Sequence, residues 1–206
     1  MELTTEDTAL LVIDMQNTFC DDAGGCARAG LPIASLQAVV EPCQRVIDAA
    51  RTSGVPVIYT RYVCQPDYTD AGVFINQLNP RLKDVDGLAA GTIDVEIISQ
   101  LQPGDDDVIV DRNRPSAFYG ANLDAQLVSG GITRLVVCGV TTACCVESTV
   151  RDAANHDYLV FVVADAVAEF ENADHRTALQ SMGRLFASLT SVDEVTAAWR
   201  REKIGV

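Results

Sequence analysis

Leu135-Val136-Val137-Cys138-Gly139-Val140-Thr141-Thr142-Ala143-Cys144-Cys145-Val146-Glu147-Ser148-Thr149-Val150-Arg151 is the stretch from which the rest of the chain is read. It opens with apolar and thiol residues in an unbroken run, the pattern of a strand buried on both faces. Gly139 interrupts the run, and Thr141 or Thr142 then serves as the cap of a helix with Cys145 in its first turn. First-turn N–H groups lack intrahelical partners, and the helix dipole favours negative charge beside them. A cysteine there is expected to have its pKa lowered toward a thiolate. The same free donors are suited to hold an oxyanion on an attacked carbonyl. Position alone does not separate Cys145 from Cys144.

Working outward, Thr8 to Ile13 reads as a second buried strand that runs straight into Asp14. Residues 20–32, rich in Asp and Gly, read as a loop, and a helix is expected from near Pro42 to Gly54. Val55 to Thr60 is a strand that ends in Arg61-Tyr62. The span from Val63 to Gly91 has no clean period and is long enough to be a functional loop. Further expectations are a short helix over 96–101, a strand at 108–110 and a helix over 122–128 stopped by Gly130-Gly131. After the thiol helix, which ends near Asn155, come a strand at 159–164, a helix over about 173–188 and a last short strand near Leu189.

Strands alternating with helices imply one α/β domain over residues 1–206, with a parallel sheet and helices on both faces. Polar residues fall just past the strand ends: Asp14, Arg61, Asp111 with Arg112, Thr141 and Asp165. Ligands of open α/β sheets bind at that end, where the strand order reverses.

Composition narrows the function classes. A net charge of -14 opposes binding to nucleic acid or to an anionic membrane surface. No apolar run approaches the ~20 residues of a spanning helix. Seven cysteines, an odd number without CxxC pairs, fit a reducing cytoplasm better than a disulfide framework. Neither zinc-ligand spacing nor a glycine-rich nucleotide loop is present, so neither a metal nor another cofactor is expected. If the strands ending at Asp14 and Gly139 are neighbours, Asp14 and the thiol share a crevice. The carboxylate could then take the thiol proton and return it to a leaving amine. His156 and His175, at helix ends, read as structural.

Four segments, in order, resemble the isochorismatase-like cysteine hydrolases: residues 11–16 (Leu11-Val12-Ile13-Asp14-Met15-Gln16), 113–120 (Asn113 to Gly120), 139–149 (Gly139 to Thr149) and 163–166 (Val163-Ala164-Asp165-Ala166). The resemblance spans nearly the whole chain and favours Cys145 over Cys144 as the nucleophile, with Asp14 as the acid–base carboxylate. It implies a three-layer α/β/α fold with an open parallel sheet of about six strands in Rossmann-like order. It also implies a cis peptide at Val140–Thr141 and an oxyanion hole from the Thr141 and Cys145 amides. The activity implied is hydrolysis of a carbon–nitrogen bond in a small amide, carbamoyl or ureido compound by a homo-oligomer, dimer or tetramer.

The sequence departs from the family pattern at the third catalytic position, usually lysine, where Arg112 stands. Only Lys83 and Lys203 among the 15 basic residues are lysines. Arginine supplies the positive charge but does not release a proton, so altered, lowered or lost catalysis is an alternative expectation. Gln16, Phe19, Arg61, Tyr62, Phe118 and Tyr119, with Tyr68 and Phe74, are the expected pocket residues. Some relatives bind a metal through histidines after the second strand; this stretch reads Thr60-Arg61-Tyr62-Val63-Cys64. Three further alternatives are acid cleavage of a vinyl ether by the aspartate without a nucleophilic thiol, a non-catalytic binding or scaffold protein, and a Rossmann-type nucleotide binder, which the missing glycine fingerprint disfavours.

Overall fold

The computed structural model describes residues 3–204, and within them six strands form one parallel sheet. They are β1 (Thr8–Ile13), β2 (Val57–Tyr62), β3 (Val108–Arg112), β4 (Arg134–Val140), β5 (Leu159–Ala168) and β6 (Ser188–Thr190), in the order β3-β2-β1-β4-β5-β6. The connecting helices are α1 (Asn17–Cys20), α2 (Gly25–Arg28), α3 (Ala34–Ala38), α4 (Val40–Ser53), α5 (Pro80–Asp84), α6 (Leu123–Ser129), α7 (Glu147–Asn155), α8 (Asn172–Leu185) and α9 (Val192–Ile204). The chain steps one way along the sheet from β1 to β2 and the other way from β4 to β5. Right-handed crossovers therefore put their helices on opposite faces. α3, α4 and α9 pack on β5, with α4 touching both α3 and α9, and α7 packs with α8 across the sheet.

The central strands form because their side chains are apolar on both faces. Every residue of β1 is buried, as are Leu135 to Val140 of β4. β3 lies at the sheet edge and leaves Val108 and Ile109 exposed. α4 begins two residues before Pro42 and stops where Gly54 turns left-handed (φ 74°) and donates to the Ala50 and Arg51 carbonyls. No described helix is long and apolar enough to cross a membrane.

Several expectations need correction. Residues 20–32 are not a plain loop: they hold the end of α1 and all of α2. The expected 96–101 helix is replaced by short 3-10 turns at Ile93–Val95 and Ser99–Leu101. β5 runs on to Ala168, so Asp165 lies inside it and accepts the Val192 N–H (2.8 Å), away from the crevice. The helix after β6 was missing altogether. α9 buries Val192, Val195 and Trp199 against α4 and β5, and the Trp199 indole N–H donates to the Thr4 carbonyl at 3.3 Å.

The switch in strand order falls between β1 and β4, which pair from Thr8 with Arg134 to Ile13 with Gly139. Gly139 has φ 114°, and a Cβ there would sit 2.1 Å from the Ile13 carbonyl oxygen. Glycine therefore lets the end of β4 close on β1. That approach brings the turn after β4 next to Asp14.

Candidate active site

Asp14 follows the last residue of β1 in the left-handed region (φ 49°), which Asp tolerates better than most residues. Its carboxylate is buried and held on both oxygens. Oδ1 accepts from the Thr60 hydroxyl at 2.7 Å, and Oδ2 pairs with Arg112 Nη2 from the end of β3. Both partners of the ion pair are sealed from solvent. Burial works against the Arg112 charge, but Asp14 and Cys145 outweigh it and raise the guanidinium pKa. Arg112 Nε and Nη1 have no partner among the described residues, and the guanidinium lies 4.5 Å above the Tyr62 ring.

The Val140–Thr141 peptide bond is cis. The following residues, Thr142–Val146, form a single wide π-type turn that leads into α7, not the ordinary first turn expected. The Thr141 carbonyl accepts the N–H groups of Cys144 (3.2 Å) and Val146 (3.1 Å), on either side of Cys145. Two groups from beyond β5 brace this turn. Glu169 accepts the Ala143 N–H at 2.9 Å, and His175 Nδ1 lies 2.9 Å from the Thr142 hydroxyl. Burial lowers the His175 pKa against the opposing effect of Glu169, so the ring is neutral at pH 7. His156 instead stacks on Phe118 and lies 3.3 Å from Asp124.

The expectation of a lowered thiol pKa is reversed. The neighbouring Cys144 thiol, burial and the Asp14 carboxylate, in that order, push Cys145 well above an ordinary thiol, with Arg112 pulling the other way. Desolvation and a nearby anion outweigh a first turn that is wide and irregular. The resting sulfur is thus a thiol beside a carboxylate able to accept its proton. Iodoacetamide is expected to alkylate Cys145 slowly at pH 7, at a rate rising about tenfold per pH unit beyond pH 9. Peptide mapping by mass spectrometry reads this directly, and a rate already level at pH 7 would mean a stored thiolate.

Cys145, 4% exposed, opens onto a cavity of about 670 Å³. Thr141, Cys144 and Tyr62 lie around it, with Phe19, Phe74 and Leu88 among the apolar walls and Arg81, Glu169 and Asp174 among the charged residues. Another hollow, of about 800 Å³, lies beside α1 and β3 with Asp21, Glu96 and Asp107 but no thiol in its lining.

Of the expected pocket residues, Phe19, Tyr62 and Phe74 line the cavity. Gln16 does not. Its amide is spent on the backbone, donating to the Tyr62 and Val95 carbonyls and accepting the Tyr62 N–H at 2.7 Å. Arg61 points away from Tyr62, as strand neighbours must, and pairs with Asp111 and Glu96. Phe118 packs on His156 and Tyr158, Tyr119 is exposed beside Arg114, and the Tyr68 hydroxyl is tied to the Gly87 carbonyl. Thr60, Glu169 and the Thr142–His175 contact were not foreseen. Glu169 directly follows β5, a place sequence reasoning had given to Asp165 by ending that strand four residues early.

The family profile described as Isochorismatase domain matches residues 8–194. Ureidoacrylate amidohydrolase RutB of Rhizobium rhizogenes is 35% identical over 176 residues, covering 80% of this chain and 71% of that protein. The Variovorax paradoxus enzyme of the same name is 31% identical over 207 residues, covering 94% and 82%. Among solved structures, a cysteine hydrolase from Pseudomonas syringae pv. phaseolicola superposes with a TM-score of 0.86 at 33% identity, covering 95% of this chain and 93% of that one. N-carbamoylsarcosine amidase from Thermoplasma acidophilum superposes with a TM-score of 0.74 at 28% identity, covering 94% and 98%.

Proposed function

The chain belongs to the isochorismatase family, and from that premise we propose that it hydrolyses a carbon–nitrogen bond of a small amide, carbamoyl or ureido compound through a cysteine thioester. The observation that carries this reading is the Cys145 thiol opening onto the cavity with the buried Asp14–Arg112 pair acting on it. Cys145 Sγ attacks the carbonyl carbon while its proton passes to Asp14. The oxyanion is received by the Thr141 and Cys145 N–H groups; the carbonyl bonds on either side of Cys145 support that role for its amide. Collapse breaks the carbon–nitrogen bond, and Asp14 returns the proton to the departing nitrogen. Water, deprotonated by Asp14, then cleaves the thioester to the acid and restores the thiol.

Arg112 supplies a permanent positive charge beside the Asp14 carboxylate, so a transferable proton at position 112 is not required. Arg81, which has no carboxylate partner among the described residues, favours substrates with an acid group, as in the compounds for which two of the relatives are named. The free cysteines fit a reducing cytoplasm, and exposed Leu185 at the end of α8 and Leu189 in β6 offer a second copy an apolar face for a homo-oligomer.

The test is ammonia release from a panel of amides and ureido acids that includes ureidoacrylate and N-carbamoylsarcosine. The wild-type chain is expected to turn over at least one of them. Arg112→Lys should stay within about tenfold of wild type, whereas Arg112→Gln should lose about 100-fold or more, because the positive partner that holds the Asp14 carboxylate in place is then gone. Equal activity in all three would remove Arg112 from the chemistry.

A further inference from the structure

Buried polar groups are almost always hydrogen-bonded, and an exception at a reactive site calls for a physical reason. Tyr62 is such an exception. The residue is 1% exposed, and its hydroxyl is screened from solvent without a partner among the described residues. Everything else about the side chain is fixed. Gln16 holds the backbone N–H and carbonyl, Arg112 covers the ring, and Phe74 packs against it with centroids 6.4 Å apart. Tyr62 lines the cavity together with Cys145 and Thr141. A phenylalanine would satisfy all of those packing contacts, so the hydroxyl has no structural duty. Burial, followed by Cys64 and Cys145, raises its pKa, which keeps the phenol neutral.

An amide or ureido group entering beside Cys145 brings a carbonyl oxygen, which needs donors, and an N–H, which needs an acceptor. Donors are at hand in the backbone N–H groups of the turn that carries Cys145. Buried acceptors are scarcer, since Asp174, the other carboxylate of the cavity, is an exposed residue of α8. Each Asp14 oxygen already accepts one bond, from Thr60 or Arg112, and its remaining capacity goes to the Cys145 proton, while the Glu169 oxygens accept the Ala143 and Phe170 N–H groups. A neutral phenol oxygen has lone pairs to offer. We propose that the Tyr62 hydroxyl accepts the N–H of the scissile group, turning its carbonyl oxygen toward the Thr141 and Cys145 amides. Tyr62 thereby makes the site prefer carbon–nitrogen over carbon–oxygen bonds. This rests on the hydrolase reading above.

The experiment is Tyr62→Phe, assayed on a substrate amide of the wild-type chain and on the methyl ester of the same acid, with calorimetric melting of the unliganded proteins. The expected result is a melting temperature equal to or above wild type and a kcat/KM lowered about tenfold on the amide and less than twofold on the ester. Equal losses on both substrates, or full amide activity, overturn the proposal. A lowered melting temperature also overturns it, since the hydroxyl would then have a partner in the empty protein. Wild-type chain inactive on the whole panel defeats the hydrolase reading, a result distinct from an active wild type with an unaltered Tyr62→Phe.

Discussion

Asp14→Asn is expected to lower kcat/KM by about 10³-fold or more and, separately, to destabilise the fold by roughly 3–5 kcal/mol. The catalytic loss follows from the proton traffic. One carboxylate takes the proton from Cys145, gives it to the leaving nitrogen and deprotonates the water, and an amide does none of these. The stability loss follows from Arg112. Its guanidinium is sealed from solvent with Asp14 as its ion-pair partner, and two of its nitrogens are already unpaired. Neutralising Asp14 strands a buried charge. For a chain of this size each kcal/mol moves the melting temperature about 2–4 °C, so calorimetry will resolve the effect. Combining Asp14→Asn with Arg112→Gln removes both charges and should restore most of the melting temperature but none of the turnover. Recovery of turnover in the double variant would refute the assignment of Asp14.

Cys145→Ala should erase turnover by roughly 10⁶-fold, the scale of losing a nucleophile from a working constellation. Stability should change little, because the side chain is small and borders a cavity. Cys144→Ala is the matched control. Cys144 also borders the cavity, and its loss should leave ammonia release within about tenfold of wild type. Turnover that survives Cys145→Ala and disappears with Cys144→Ala would exchange the roles of the two sulfurs.

The central strands were legible because burial on both faces leaves a continuous apolar run, as in Leu10 to Ile13 and Leu135 to Val137, and the place of Asp14 beside the turn after β4 because a polar residue directly follows β1. The pocket was less legible. Arg61 and Tyr62 are adjacent polar-tipped residues at a strand end, and only the alternation of side chains along the strand tells which one turns inward. The thiol pKa was misjudged because burial and the position of Asp14 are tertiary facts. α9 was missed although its signals are present. Val192, Val195 and Trp199 recur at helical spacing, and Ser191 with Glu194 forms a reciprocal cap, the Ser191 N–H donating to the Glu194 carboxylate at 2.8 Å. The stretch of short helices at residues 17–28 offers no comparable signal, since four-residue helices carry no period.

Trp199 is the sole tryptophan of the chain, and it sits within α9 on the side of the sheet that carries α4, not among the walls of the cavity. Its fluorescence is therefore a built-in optical gauge of whether the domain is intact, and it is blind to what occupies the pocket. Emission that shifts to the red during a titration signals collapse of the protein, whereas occupancy has to be followed by another dye or by the products themselves.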